Sequence, residues 1–156
     1  MTFSPNDNHL IVNYHYIREP SDEYLGIHPC RPEEFERQLK FLSSAYRIAG
    51  IEEVFRAAEE ESREKLCALT FDDGFKDNFE HAVPLLEKYR ARATFFPVAQ
   101  VFQGLLPITH KVHIILSKFP VSELVRRFNT FLEERTPRLL ETYRIPEDKR
   151  ITTERK

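Results

Sequence analysis

The stretch LCALTFDDGF, residues 66–75, decides the fold and points to the site. Its first six residues, 66–71, form a continuous apolar run, which is typical of a strand buried on both faces of a parallel sheet. Two adjacent carboxylates, Asp72 and Asp73, follow at once, and Gly74 allows a sharp turn. Parallel α/β sheets place their ligands at the carboxyl ends of strands, so the doublet lies where chemistry is expected.

The acidic doublet allows three interpretations from its residues alone. Adjacent side chains of an extended chain point in different directions, so one carboxylate can face a metal ion while the other faces a nucleophilic water. Alternatively, Asp-Asp-Gly forms an Asx turn, which is common at strand ends for local reasons. A third interpretation is Mg²⁺-dependent phosphoryl transfer, because hard cations prefer carboxylates. No P-loop accompanies the doublet, and only 4 glycines are present.

The patterns on either side of this stretch predict alternating strands and helices. The predicted strands cover residues 10–17, 46–49, 66–71 and 93–98. The predicted helices begin at Pro32 and Ile51, follow Gly74 with a kink at Pro84, and cover residues 110–119 and 121–134. The order β-α-β-α-β-α-β-α-α favours an α/β fold with a mostly parallel sheet. An eight-stranded barrel needs about 250 residues, so a barrel would be represented here by roughly its first half.

Composition predicts one domain over residues 1–156, with a core over 10–101 and a helical extension over 108–135. The 156 residues are 41% hydrophobic and include 13 Phe and 6 Tyr, which is enough apolar material for one core. The two cysteines, Cys30 and Cys67, are expected as two buried reduced thiols or as one bridge.

Charge and hydropathy exclude several partners. A formal net charge of -2 gives no electrostatic reason to expect nucleic acid. No apolar stretch reaches the roughly 18 residues that a transmembrane helix needs, so none is expected. Residues 1–8 lack the basic and then apolar pattern of a signal peptide, which makes a cytoplasmic location the default expectation.

Two motifs at a fixed spacing carry a family resemblance. LTFDDGF is followed by ATFFPV, with Thr94 lying 24 residues after Thr70, and the earlier strand contains Tyr14-His15-Tyr16. Together these features resemble the polysaccharide deacetylase family of carbohydrate esterases. The resemblance covers residues 10–101, roughly the N-terminal half of that family's fold.

The resemblance implies a fold and a chemistry. Members of the family fold as a distorted (β/α) barrel, which would be incomplete here. They use a divalent metal, Zn or Co, to remove N- or O-acetyl groups from polysaccharides or oligosaccharides. In the family's TFDDG motif the first Asp is the general base and the second is a metal ligand, which assigns these roles to Asp72 and Asp73. A carboxylate within hydrogen-bond reach of a metal-activated water agrees with this chemistry.

The histidine pattern departs from the family. The family completes its metal site with H-x-x-x-H, and this chain has only the H-x-x-H of His110 and His113. Residues at i and i+3 share a helix face, so the pair is a candidate for metal ligation, or else part of a packing helix. His15, at a strand end, is a candidate substrate-binding residue, or else a hydrogen-bonded core histidine.

The family's later motifs are also absent, which leaves enzymatic activity open. The expectation is a truncated or split deacetylase whose activity is impaired, with a carbohydrate as substrate. The alternative is a non-catalytic or incomplete relative that serves as a carbohydrate-binding or interaction protein. Uncovered apolar surface and open sheet edges would in either case favour self-association.

Overall fold

The strand β3, Leu66–Asp73, is the centre of a four-stranded sheet in which all pairings are parallel. A computed structural model describes residues 8–146 of the chain. β1, His9–Tyr14, pairs with one edge of β3 from Leu66 to Phe71. The other edge of β3 therefore carries two strands. β2, Arg47–Ile48, pairs with the start of β3, and β4, Thr94–Pro97, pairs with the end of β3.

Helices connect and follow these strands in the predicted order. Those that connect them are α1 Pro32–Ala45, α2 Ile51–Glu59 and α3 Val83–Lys88, and those after β4 are α4 Ile108–Lys118, α5 Val121–Arg135 and α6 Leu140–Tyr143. Short 3₁₀ turns cover Ala99–Gln103 and Pro137–Leu139. The described sheet is open rather than closed into a barrel, which confirms the predicted α/β class with an incomplete, mostly parallel sheet.

The predicted kink at Pro84 takes the form of a π-helical turn over Asn78–Ala82. The Val83 amide donates to the Asn78 carbonyl, five residues back, and α3 starts directly afterwards with Pro84 in its first turn. Proline is tolerated there because its missing amide hydrogen would have no partner within a new helix. The wider turn thus ends the first helical segment, and the proline begins the second.

One face of β3 packs on α1 and forms the main core. Phe35, Leu39 and Phe71 are at most 1% exposed and belong to one buried cluster. The Phe71 ring stacks on Tyr14 and on Phe95, with ring centroids 5.3 and 4.9 Å apart, and meets Phe35 edge to face at 5.7 Å. This burial holds β3, and with it the acidic doublet at its end, in place.

Residues 93–98 were expected to form a buried strand, and the expected burial was wrong. β4 is a strand, but Phe95, Phe96 and Pro97 are all exposed, and Phe96 keeps 47% of its surface. Within the described residues, β4 pairs with β3 on one side only, and its apolar side chains are only partly covered, as where Phe71 stacks on Phe95. An apolar composition alone does not distinguish a central strand from a strand at a sheet edge.

The described residues form two contact units, which together neither confirm nor overturn the single-domain prediction. The first comprises residues 8–20 and 28–105 and contains the sheet. The second comprises residues 21–27 and 106–146 and contains α4 to α6. In the second unit the buried Asn129 amide bonds both backbone groups of Ile145, at 2.8 and 3.0 Å.

Cys30 and Cys67 are both unbridged thiols, as the expectation of reduced cysteines stated, but only Cys67 is buried, and Cys30 is half-buried. Within residues 8–146, no helix has the length and apolar character needed to cross a bilayer. The prediction made for residues 1–8 lies almost wholly outside the described part of the chain, and self-association stays a prediction.

Candidate active site

The acidic doublet occupies the last two positions of β3, where the chain turns sharply. Asp72 pairs in register with Phe96, and Asp73 pairs with Pro97. Asp73 itself has a φ of 70°, and Gly74 follows with a φ of 68°. A Cβ on Gly74 would lie 2.8 Å from the Pro97 Cβ, so both the conformation and the space require glycine. The turn therefore fixes the direction in which the two carboxylates leave the sheet.

Asp72 lies beside two side chains from β1 and its C-terminal end. Asn13 Nδ2 donates a 2.9 Å hydrogen bond to Asp72 Oδ2, and His15 Nε2 lies 3.8 Å from the same oxygen. The Asp72 side chain is 38% exposed and that of His15 is 50% exposed. The carboxylate is thus held by the protein and also open to solvent. The structure brings the two sequence candidates Asp72 and His15 together, while their catalytic and binding roles stay predictions.

A buried hydroxyl stands behind Asn13. Thr70, only 4% exposed, donates a 2.9 Å hydrogen bond from Oγ1 to Asn13 Oδ1. Thr70 and Asn13 face each other in the β1–β3 register, and Thr70 and Asp72 lie on the same face of β3 because they are two residues apart. These three side chains therefore form a chain of hydrogen bonds that ends on Asp72.

Asp73 lies near Tyr16, a residue of the segment that follows β1, and acts on it electrostatically. Burial raises the pKa of the Tyr16 phenol to about 12, and the negative charge of the nearby Asp73 carboxylate is a second, smaller cause of this increase. The Tyr16 ring stacks on Phe75 with centroids 4.0 Å apart. Tyr16 therefore stays a neutral phenol at physiological pH beside the second carboxylate.

The described residues do not provide a complete set of ligands for the metal that the resemblance implies. A catalytic zinc site uses about three protein ligands. Across residues 8–146, no three His, Cys, Asp or Glu side chains are grouped closely enough to hold a metal ion. His110, which is buried, and His113 lie on α4 in the second contact unit, and the roles of Asp73, His110 and His113 as ligands stay predictions. The described donor set does not fit a three-ligand metal centre.

Sequence reasoning missed Asn13, whose amide donates to Asp72, and Thr70, whose hydroxyl donates to Asn13. The missing information was the register, since Asn13 and Asp72 are 59 residues apart. One signal was present: Ile11, Asn13 and His15 are spaced two residues apart in the strand predicted over residues 10–17, so two polar side chains point to one face of it. Placing β1 beside β3 would then have directed both polar side chains toward the doublet.

Comparisons with known proteins agree with the motif resemblance. Residues 59–104 match the family model described as polysaccharide deacetylase. YxkH of Bacillus subtilis (strain 168), a candidate polysaccharide deacetylase by its name, is 33% identical over 84 residues, which are 52% of this chain and 28% of YxkH. The structure of IcaB from Ammonifex degensii is 28% identical with a TM-score of 0.51, over 58% of this chain and 38% of IcaB.

A further similar structure is the Streptococcus pyogenes deacetylase PplD in complex with acetate, at 34% identity and a TM-score of 0.49, over 55% of this chain and 40% of PplD. The chain spans less than half the length of each of these relatives. The fold and the site together define a class of structure: an open parallel α/β sheet that carries two adjacent carboxylates at the end of a strand. The resemblance to the polysaccharide deacetylase family is confirmed, and its family-model match spans residues 59–104.

Proposed function

We propose that this chain carries the general-base half of a deacetylase site and acts on an N- or O-acetylated carbohydrate. The observation that carries the proposal is the position of Asp72. Its carboxylate lies at the carboxyl end of a central parallel strand, within hydrogen-bond distance of Asn13 and near His15. The family match over residues 59–104, which include this strand end, supports the same assignment.

The proposed step is hydrolysis of the acetyl group. Asp72 accepts a proton from a water molecule as the water oxygen attacks the acetyl carbonyl carbon. The bond between that carbon and the sugar nitrogen or oxygen then breaks, acetate leaves, and the proton returns to the departing amine or hydroxyl. No step is assigned to a metal, because the described donor set does not fit one.

An exposed aromatic side chain beside Asp72 supports a carbohydrate as the ligand. Phe96 is the β4 partner of Asp72 in register, and paired residues of parallel strands project to the same face. Its 47% exposure leaves the ring available for contact with the apolar face of a sugar. Carbohydrate contact through Phe96 therefore forms part of the proposal.

The second candidate function is carbohydrate binding without catalysis. It is favoured by the lack, within residues 8–146, of any group of three or more His, Cys, Asp or Glu able to hold a metal. The test is to incubate the full chain with acetylated chito-oligosaccharides, with and without added Zn²⁺ or Co²⁺, while measuring both acetate release and oligosaccharide binding. Acetate release supports the deacetylase. Binding without release under every metal condition supports the second function and contradicts the first.

A further inference from the structure

The amide of Asn13 lies between a buried hydroxyl and the carboxylate of Asp72. Its Nδ2 is 2.9 Å from Asp72 Oδ2, and its Oδ1 is 2.9 Å from Thr70 Oγ1. Thr70 is 4% exposed, whereas Asn13 is exposed. The exposed amide is therefore anchored from the protein interior, and its other end bonds the carboxylate.

Only one orientation of this amide satisfies both neighbours. An ionised carboxylate only accepts hydrogen bonds, so the Asn13 group that faces Asp72 must be Nδ2. Oδ1 then faces Thr70, whose hydroxyl must donate to it. The other acceptor near Thr70 Oγ1 is the Val12 carbonyl, which at 3.5 Å is distinctly farther away. The Thr70 hydroxyl thus reinforces the amide orientation that bonds Asp72.

We propose that Asn13 is a positioning residue that holds the Asp72 carboxylate in one rotamer and occupies Oδ2, so that Oδ1 receives the proton from water. This inference rests on the proposed function, since it assigns a proton-accepting atom to the same carboxylate. His15 approaches the same Oδ2, at 3.8 Å, which adds a second group on that side of the carboxylate. Thr70 acts one step further back, by fixing the amide of Asn13.

Rotamer averaging of Asp72 tests the positioning role without any need for activity. The three-bond couplings from the Asp72 side-chain carboxyl carbon to its backbone nitrogen and carbonyl report χ1 in the full chain. We expect values of a single rotamer in the wild type and averaged values in Asn13→Ala. Thr70→Val should shift the couplings partway toward averaging, and Thr70→Ser, which keeps the hydroxyl, should not. Asp22, exposed in a loop, serves as the internal reference for an averaged carboxylate.

Kinetics then separate positioning from a merely structural role. Loss of one hydrogen bond to Asp72 should lower kcat for acetate release about three- to ten-fold in Asn13→Ala, with KM unchanged and with kcat retained in Thr70→Ser. Unchanged Asp72 couplings in Asn13→Ala would overturn the inference, as would a change in KM alone. A wild-type chain that releases no acetate refutes the proposed function instead, and the couplings still decide whether Asn13 orients Asp72.

Discussion

Arg18 Nε donates a 2.8 Å hydrogen bond to Oδ2 of Asp77, whose side chain is only 7% exposed. Arg18 follows β1 and Asp77 follows the acidic turn, so this ion pair joins the two segments that flank the candidate site. The guanidinium also lies 5.5 Å from the centre of the Tyr16 ring, which itself stacks on Phe75. The two segments are therefore connected by both a charged and an aromatic contact.

Arg18→Gln should destabilise the fold by about 1–3 kcal/mol, because it leaves the buried Asp77 carboxylate without its charged partner. Urea unfolding followed by circular dichroism measures this change. Arg31→Gln is the matched control, since Arg31 and Glu19 are about 60% exposed and 3.5 Å apart, and it should cost less than about 1 kcal/mol. Equal losses in the two variants would contradict the structural role of the Arg18–Asp77 pair.

Gly74→Ala should be clearly more destabilising than Gly104→Ala. Both glycines have a positive φ, of 68° and 71°, so alanine is strained at either position by about 1–2 kcal/mol. Only at Gly74 does the new Cβ also meet a neighbour, the Pro97 side chain, at 2.8 Å, whereas nothing lies within 4 Å at Gly104. Thermal unfolding of the two variants provides the comparison, and a Gly104→Ala variant that is the less stable of the two would refute the account of the turn.

Glu36 should contribute stability that disappears in acid. Hydrogen bonds from Lys88 and Tyr89 lower the pKa of Glu36 from 4.5 to about 2. A carboxyl whose pKa is lowered by folding stabilises the native state above its unfolded pKa, and the contribution is lost as pH falls from about 4.5 toward 2. The difference in unfolding free energy between wild type and Glu36→Gln, measured at pH 7, 4 and 2.5, should therefore shrink as the pH falls. A difference that does not change with pH would contradict this coupling.

Metal binding by the full chain should be weak. The described residues provide no cluster of three ligands, so titration with Co²⁺ should give no tight one-to-one complex, and His110→Ala with His113→Ala should change nothing. Optical titration of the Co²⁺ bands and calorimetry both measure this. Tight stoichiometric binding that is lost in Asp73→Ala would contradict this expectation and support the sequence assignment of Asp73 as a ligand.

Local patterns predicted much of the fold. The apolar run of residues 66–71 predicted β3 because a strand covered on both faces has no alternation, and Pro84 predicted the helix interruption because proline cannot continue an existing helix. The burial of β4 could not be predicted, because exposure depends on which strands lie beside it. For Phe95 and Phe96 the sequence shows apolar character but not the open edge.

For the candidate site as well, the residues marked by local sequence features could be predicted, and those that depend on strand pairing could not. Asp72 and Asp73 could be located from the sequence, because the end of a predicted strand is a local feature. Asn13 and Thr70 could not, because the hydrogen bonds from Asn13 to Asp72 and from Thr70 to Asn13 both depend on the alignment of β1 with β3 across nearly 60 residues of chain. Residues that orient a functional group are therefore harder to find than the group itself.

The most direct measurement of the central claim is acetate release from an acetylated chito-oligosaccharide by wild type, Asp72→Asn and Asp22→Asn. Asp72→Asn keeps the shape of the side chain and removes the proton acceptor, so kcat should fall by about 10²- to 10⁴-fold while oligosaccharide binding is retained. Asp22→Asn, an exposed carboxylate outside the site, should match wild type. Acetate release by Asp72→Asn at the wild-type rate would contradict the assignment of this carboxylate as the base.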